Sequence, residues 1–64
     1  MATSKNITIH GIIEVKPTDK GVRADFVVNS GSNITIYAIT DDELVEKIER
    51  FIGRGLELNE IKWL

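Results

Sequence analysis

The sequence contains no cysteine, which excludes disulfide bonds and thiolate-ligated zinc as supports for the fold. Its single histidine, His10, leaves no second imidazole for a histidine-based metal site. The chain has 64 residues, too few for two ordinary domains, so we expect one small domain over residues 1–64. Domains of this size bury only about 60% of the surface that the unfolded chain exposes. We therefore expect a marginally stable fold held by packing alone.

Long apolar runs are missing as well. No stretch approaches the roughly 18 residues that a membrane span requires, and the N-terminus lacks the apolar segment of a signal peptide. Together with the absence of cysteine, this favours a cytoplasmic location. We expect residues 1–5 to be disordered.

The sequence also lacks an excess of positive charge. Its net charge is −2, and residues 41–64 hold four Lys or Arg against seven Asp or Glu. A nucleic-acid-binding protein typically concentrates basic residues on one face. The charge distribution therefore disfavours nucleic acid as the partner.

Alternation of apolar and polar residues predicts three strands, over residues 7–15, 22–28 and 33–39. Turn-forming residues at 17–21 and 29–32 separate them. One face of the resulting sheet takes the odd-numbered residues of the first strand and the even-numbered residues of the other two. This face carries most of the large apolar side chains and is predicted to form the core.

The turn at 17–21 also predicts a register for the first hairpin. Two features favour it: an opposite-charge pair on the outer face, and a glycine that leaves room for an aromatic ring on the inner face. The predicted pairs are Lys16 with Gly21, Glu14 with Arg23 and Gly11 with Phe26.

A helix is predicted to start at Thr40, because Thr40 as N-cap and Glu43 three residues later form a capping box. Gly53 or Gly55 is expected to end it. Its side chains form one apolar stripe and two favourable i,i+4 ion pairs. The stripe is Leu44, Val45, Ile48, Phe51 and Ile52, and the pairs are Glu43–Lys47 and Glu46–Arg50.

The last segment, residues 56–64, allows two interpretations: a strand with a bulge near Asn59, or a shorter strand within residues 59–64. A right-handed crossover would place this strand parallel to strand one or strand three, and we prefer strand one. The predicted fold is α+β with the order β-β-β-α-β. It comprises an antiparallel three-stranded meander, a C-terminal strand and one amphipathic helix on one sheet face.

No constellation typical of an enzyme is present. His10 is predicted on the outer face without a nucleophile beside it, and the acidic residues 41–43 are explained by helix capping. The tripeptide at residues 53–55 follows a helix, whereas a phosphate loop precedes one. We therefore predict a non-enzymatic protein with no catalytic residue, cofactor or metal.

The outer sheet face is the candidate site, because it combines large apolar side chains with charges and lies opposite the helix. A contiguous exposed apolar patch typically marks an interface, although scattered exposed apolar residues are normal. We predict that this face binds a protein partner or a second copy, with no membrane or small-molecule ligand. The predicted contact residues are Ile12, Val27, Tyr37 and Ile39, with Arg23 and Glu14 setting register.

Trp63, near the C-terminus, has two interpretations: it packs on the core as a lid over the sheet edge, or it belongs to the partner-binding set. An exposed edge strand could also recruit a partner by β-augmentation.

Two alternatives involve nucleic acid. The three-stranded sheet could lie in the DNA major groove, although Glu14 and Asp25 accompany Lys16 and Arg23 on that face. The acidic helix could instead mimic nucleic acid on a partner's basic groove, although a solvated helix face is the simpler explanation.

The C-terminal half, residues 33–64, resembles a small coliphage inhibitor of bacterial RNA polymerase. The resemblance implies a sheet-plus-helix fold and a protein-binding regulator of phage or mobile-element type. The N-terminal half departs from that pattern through its longer first hairpin, so no polymerase-contacting residue is assigned. The matching positions are Ile36, Tyr37, Ala38, Thr40, Asp42, Glu43, Glu46 and Glu49, followed by a glycine and a short strand.

Overall fold

A computed structural model describes residues 7–29 and 31–64. The expected disorder of residues 1–5 lies outside these residues. The described part is a four-stranded sheet with one α-helix and a short 3-10 helix. The elements are β1 (Ile9–Thr18), β2 (Gly21–Val28), β3 (Ser32–Ala38), α1 (Asp41–Ile52), a 3-10 helix (Leu58–Glu60) and β4 (Ile61–Trp63).

The sheet has the strand order β3-β2-β1-β4. Strands β1, β2 and β3 form an antiparallel meander, and β4 runs parallel to β1. The α+β class, the β-β-β-α-β order and the preferred pairing of the last strand with strand one are therefore confirmed. β1 and β2 occupy the centre, while β3 and β4 form the two edges.

The core lies between α1 and one sheet face. It contains the predicted alternate residues of the strands, and from the helix only the residues that point straight at the sheet. The predicted stripe is wider than the buried face of the helix, because Val45 is half-buried and Phe51 is 41% exposed. The Phe51 ring packs edge-to-face against Phe26, with 6.3 Å between the ring centroids. The buried residues are Ile13, Val15, Ala24, Phe26, Val28, Ala38, Leu44, Ile48 and Ile52.

The predicted register of the first hairpin is wrong by two residues between Glu14 and Thr18, whereas at the far end of the strands His10–Val27 and Ile9–Val28 pair in the predicted register. Gly21 pairs with Thr18, so the loop contains only Asp19 and Lys20. The outer face then places like charges opposite each other where the sequence predicted one opposite-charge pair. The observed pairs are Thr18–Gly21, Lys16–Arg23 and Glu14–Asp25.

Pro17 explains the difference, because it lies within β1 and pairs with Val22. The backbone N–H of Leu64 donates to the Val15 carbonyl over 2.8 Å, so Val15 directs its backbone groups towards β4. Backbone groups alternate sides along a strand, so the Pro17 nitrogen also faces that side, beyond the end of β4. A missing N–H is tolerated at such an edge position.

A bulge interrupts β1 between His10 and Glu14. Three residues of β1 there oppose one residue of β2, so β1 carries two extra residues. Gly11 adopts φ 83°, a left-handed conformation that favours glycine. A Cβ at Gly11 would meet nothing within 4 Å, so this glycine supplies backbone freedom and does not make space for the Phe26 ring as predicted.

Asn29 shapes the turn between β2 and β3. It adopts φ 52°, which asparagine tolerates better than most residues. Its backbone N–H donates to the Thr8 carbonyl over 2.8 Å, and its side-chain oxygen accepts from the Thr8 N–H over 3.0 Å. Asn29 therefore ties the start of the first strand to the turn.

Helix α1 begins as predicted at Thr40, whose hydroxyl accepts from the Glu43 N–H. The Glu43 carboxylate reaches back to the Ile39 N–H over 2.8 Å, so it does not pair with Lys47 as predicted. The Lys47 ammonium donates instead to the Tyr37 carbonyl over 2.9 Å. Gly53, at φ 79°, ends the helix.

The segment after the helix is fixed by an ion pair between Arg54 and Glu60. The guanidinium donates two hydrogen bonds to the carboxylate, over 3.0 and 2.6 Å, and the Glu57 N–H donates to one of the same oxygens over 2.9 Å. The 3-10 helix and the short β4 follow, so the shorter of the two predicted strands is the better description. Leu58 does not join the core and is 86% exposed.

This ion pair predicts a measurable titration. The Arg54 hydrogen bonds, followed by that from the Glu57 N–H, lower the pKa of Glu60 to about 2 from its ordinary 4.5. Replacing Arg54 by methionine is expected to return the pKa of Glu60 towards 4.5, measured by NMR of the side-chain carboxyl. Because the folded-state pKa is depressed, the pair stabilises the fold fully above about pH 4.5 and loses its effect as the pH falls towards 2.

The control is Arg50→Met, because Arg50 contacts Glu46 on the helix surface at 3.3 Å. It is expected to leave the Glu60 titration unchanged. An Arg54→Met variant in which Glu60 still titrates near pH 2 contradicts the assignment of the shift to Arg54.

Candidate interaction surface

The uncovered face is the sheet face opposite α1. Ile12, Val27 and Tyr37 lie on it, and Ile39 directly follows β3, where the chain leads into α1. Ile12, Tyr37 and Ile39 are 53%, 60% and 68% exposed, respectively. Val27 is half-buried between its neighbours His10 and Asn33. Three of the four residues are therefore available to a partner without rearrangement.

A polar network crosses the centre of the uncovered face. One Asp25 carboxylate oxygen accepts from the Arg23 guanidinium over 2.9 Å and the other from the Thr35 hydroxyl over 2.8 Å. The charge of Asp25 raises the pKa of Arg23 further, with a side-chain hydrogen bond to Tyr37 as the next contribution. Both Asp25 oxygens are thus occupied, and Arg23 does not bond Glu14 as the predicted register implied.

This network divides the apolar residues into two clusters. Tyr37 pairs with Arg23, whereas Val27 pairs with Asn33, four positions further along the sheet, or roughly 13 Å at strand spacing. The predicted surface is therefore not one contiguous patch. Its two parts flank the Thr35–Asp25 pair.

The first part is a shallow groove of about 360 Å³, which we call the Ile12 groove. It lies beside the β1 bulge, where Ile12 projects outward. Its walls combine apolar and acidic groups. The lining residues are His10, Ile12, Glu14, Asp25, Phe26, Val27, Asn33, Ile34 and Thr35.

The second part lies where β3 leads into α1, and we call it the Tyr37 cluster. It encloses about 310 Å³ beside the first hairpin loop, with the helix residues Glu43 and Lys47 along one side. Its other lining residues are Thr18, Lys20, Tyr37, Ala38 and Ile39.

Trp63 does not share this surface. It lies in β4 beside Val15 of the core, and side chains of laterally paired strand residues point to the same face. Trp63 is 47% exposed and borders a cavity with Pro17, Val22 and Leu64. Trp63 therefore lies on the helix side of the sheet, and the structure does not bring it together with Ile12 and Tyr37.

The charges of the uncovered face are arranged in two rows. Lys16 and Arg23 form one, while Glu14 and Asp25 form the next, with Lys62 of β4 beside Glu14. The rows have opposite signs, and the five charges, including that of Lys62, sum to +1, so basic residues are not concentrated on this face. Sequence periodicity placed these side chains on one face, but the rows follow from the strand register.

Among residues 7–29 and 31–64, no three acidic or histidine side chains converge in a way that could hold a metal ion. His10 lies on the wall of the Ile12 groove, with Glu14 and Asp25 as the other titratable residues lining it.

No protein-family model, no curated protein and no solved structure matches this chain. The resemblance of residues 33–64 to a coliphage polymerase inhibitor therefore stays a prediction. Within the part of the chain that the structure describes, no helix combines the length and apolar character needed to cross a membrane.

Proposed function

We propose that the protein is a small, non-enzymatic interaction module or regulator of phage or mobile-element type, acting in the cytoplasm. It binds a protein partner or a second copy through the uncovered face. The observation that carries the proposal is the exposure of Ile12 and Tyr37 on the sheet face without a helix, with Ile39 exposed just beyond the end of β3. These side chains lie in two separate parts of the face, the Ile12 groove and the Tyr37 cluster, so one partner would have to contact both parts to cover them.

The polar network makes this face suitable for burial. Covering a charged side chain is costly unless its hydrogen bonds are already satisfied. Both Asp25 oxygens have partners within the chain, so a protein surface could cover Asp25 without leaving it unpaired. A partner would place apolar groups in the Ile12 groove and on the Tyr37 cluster, on either side of this network.

The proposal is tested with the full chain as bait in the native cell, followed by binding measurements between the purified partner and purified variants. Tyr37→Ala and Val27→Ala are each expected to weaken binding about 10-fold, because aromatic and apolar anchors dominate interface energies. Leu58→Ala is the control, since Leu58 is highly exposed but lies outside the uncovered face. Light scattering on the same variants tests self-association through this face.

Equal affinity of all three variants and the unchanged protein for the purified partner contradicts the proposal. The nucleic-acid alternative makes a different prediction, namely retention on DNA or RNA at low salt that weakens in Arg23→Ala. Nothing on this face favours that alternative, because Asp25 neutralises Arg23.

A further inference from the structure

We propose that the free edge of β3 binds the β3 edge of a second copy in antiparallel orientation, joining two four-stranded sheets into one of eight strands. This inference goes beyond the proposed function, because it uses the backbone edge of the sheet and a specific occupant. The uncovered face can bind its partner whether or not the edges pair.

The backbone groups available at this edge follow from the strand order and from Lys47. β3 is an outer strand of the sheet, paired with β2 on one side. The Lys47 ammonium reaches the Tyr37 carbonyl, so that carbonyl points away from β2. Because backbone groups alternate sides along a strand, those of Asn33 and Thr35 point the same way. A seven-residue strand thus presents a row of donors and acceptors.

The edge has few of the features that prevent pairing. Such features include proline, charged side chains within the strand and very short edge strands. β3 contains no proline and no charged residue. Lys47 is the one nearby positive group shown to reach this edge, and a carbonyl oxygen can accept a second hydrogen bond. Lys47 therefore does not have to leave when a second strand arrives.

A two-fold axis at Thr35 gives a self-complementary register. Thr35 then lies opposite Thr35 of the second copy, and Ile34 lies opposite Ile36 on the helix side. Both isoleucines are half-buried in the single chain and pack against its core, so pairing would remove more of their surface from water. Like charges do not meet within the paired strands, because β3 has none.

The same register connects the two apolar parts of the uncovered face. Tyr37 of the second copy falls opposite Asn33, which lines the Ile12 groove and pairs with Val27. An exposed aromatic ring is thereby placed next to a groove of about 360 Å³ that no residue of its own chain fills within the described residues. The two-fold axis places both tyrosines in this way, each beside the Ile12 groove of the other copy.

Charge complementarity between the helices also favours a second copy as the occupant. α1 starts with three acidic residues, Asp41 to Glu43, and has Arg50 in its last turn, followed by Arg54. The contact of Lys47 with Tyr37 places one side of α1 along the β3 edge, and Phe51 follows one turn later on that side. A two-fold axis makes the two helices antiparallel, so the acidic first turn of each faces the end of the other that carries Arg50 and Arg54. These arginines already contact Glu46 and Glu60 of their own chain, so a carboxylate of the second copy would add to existing ion pairs.

The first test is the mass of the full chain in solution. Sedimentation equilibrium at about 100 µM is expected to give twice the monomer mass of 7.2 kDa, as for a Kd of micromolar order. A protein that stays monomeric at this and tenfold higher concentration overturns the proposal.

The second test separates edge pairing from face binding. Thr35→Pro removes an N–H that faces away from β2, so the chain is expected to stay folded by circular dichroism while its dimer Kd rises about 100-fold. Thr35→Val is the matched control, because it also lacks the hydroxyl bonded to Asp25 but keeps the N–H. It is expected to dimerise like the unchanged protein.

A spin label at Thr35→Cys gives a readout that does not depend on the folding of the proline variant, since the chain has no other cysteine. Two labels beside the axis are expected to broaden each other's spectrum, whereas labels on Lys62→Cys, in the opposite edge strand, are not. Edge pairing is overturned if the dimer shows no broadening at Thr35→Cys. It is also overturned if the dimer is lost in Val27→Ala but kept in a folded Thr35→Pro. Either result favours association through the uncovered face. Loss of partner binding in Val27→Ala with unchanged dimer mass leaves both proposals standing as separate surfaces.

Discussion

Replacing Gly21 by alanine is expected to lower the free energy of unfolding by about 3 kcal/mol. The first residue of β2 lies directly against the end of β3. A Cβ added at Gly21 would collide with the carbonyl oxygen of Ala38 and lie 2.9 Å from the Cα of Ile39. Both atoms belong to the backbone, so neither can move aside as a flexible side chain could.

The expected loss is large relative to the total stability of a domain of this length. A domain of this length is rarely stabilised by more than about 3–5 kcal/mol, so Gly21→Ala is expected to leave a large unfolded fraction without denaturant. Urea titration followed by circular dichroism measures it. Gly55→Ala is the matched control, because the nearest atom to its added Cβ is a Glu49 carboxylate oxygen at an ordinary 3.6 Å. Equal midpoints for the two variants would show that the approach of β3 to Gly21 does not constrain the fold.

The faces of the strands could be predicted although the hairpin register could not. Side chains alternate with a period of two, so a register error of two residues leaves every side chain on its predicted face. Ile13 and Val15 are buried as expected, while the partner of Glu14 changes from Arg23 to Asp25. The burial of apolar residues determines which face of the sheet each side chain takes, whereas the turn determines which residues pair across the hairpin.

Pro17 accounts for the difference between the predicted and the observed turn. Proline is common in turns, so the sequence placed the turn at residues 17–21. In the sheet, Pro17 is compatible with β1 because the neighbouring β4 ends before reaching it. β4 comes after the helix in the chain, far in sequence from the first hairpin. Contacts distant in sequence therefore decide whether a residue in the first hairpin lies in a strand or in a turn.

The sheet face of three predicted contact residues could be predicted from the sequence, whereas the position of Trp63 and the shape of the surface could not. Periodicity places Ile12, Val27 and Tyr37 on one face, and the structure agrees. Their division into a groove and a separate cluster follows from the pairing of Asp25 with Thr35, which only the β2–β3 register defines. The bulge that projects Ile12 has one signal in the sequence, a glycine inside a strand pattern, which is typical of such irregularities.

Truncating Ile48 to alanine is expected to lower the free energy of unfolding by about 3–4 kcal/mol, the other large effect. Ile48 is completely buried at the middle of α1, between Leu44 and Ile52, which are buried on the same side of the helix. Alanine at this position removes apolar contacts and leaves a cavity that close-packed neighbours fill only in part. Helix propensity acts in the opposite direction, because alanine favours the helix more than isoleucine does. The difference is less than about 0.7 kcal/mol, so it is the smaller effect.

Ile39→Ala is the control for this prediction, because it makes the same chemical change at a side chain that is 68% exposed. It is expected to change the free energy of unfolding by no more than about 0.5 kcal/mol. Urea titration gives both values, and an unchanged slope for each variant shows that the same surface is exposed on unfolding. If Ile39→Ala were as destabilising as Ile48→Ala, residue 39 would contribute to the packing of the single chain and could not serve as a free contact on the uncovered face. Nearly unchanged stability together with weakened partner binding in Ile39→Ala would assign its apolar side chain to recognition.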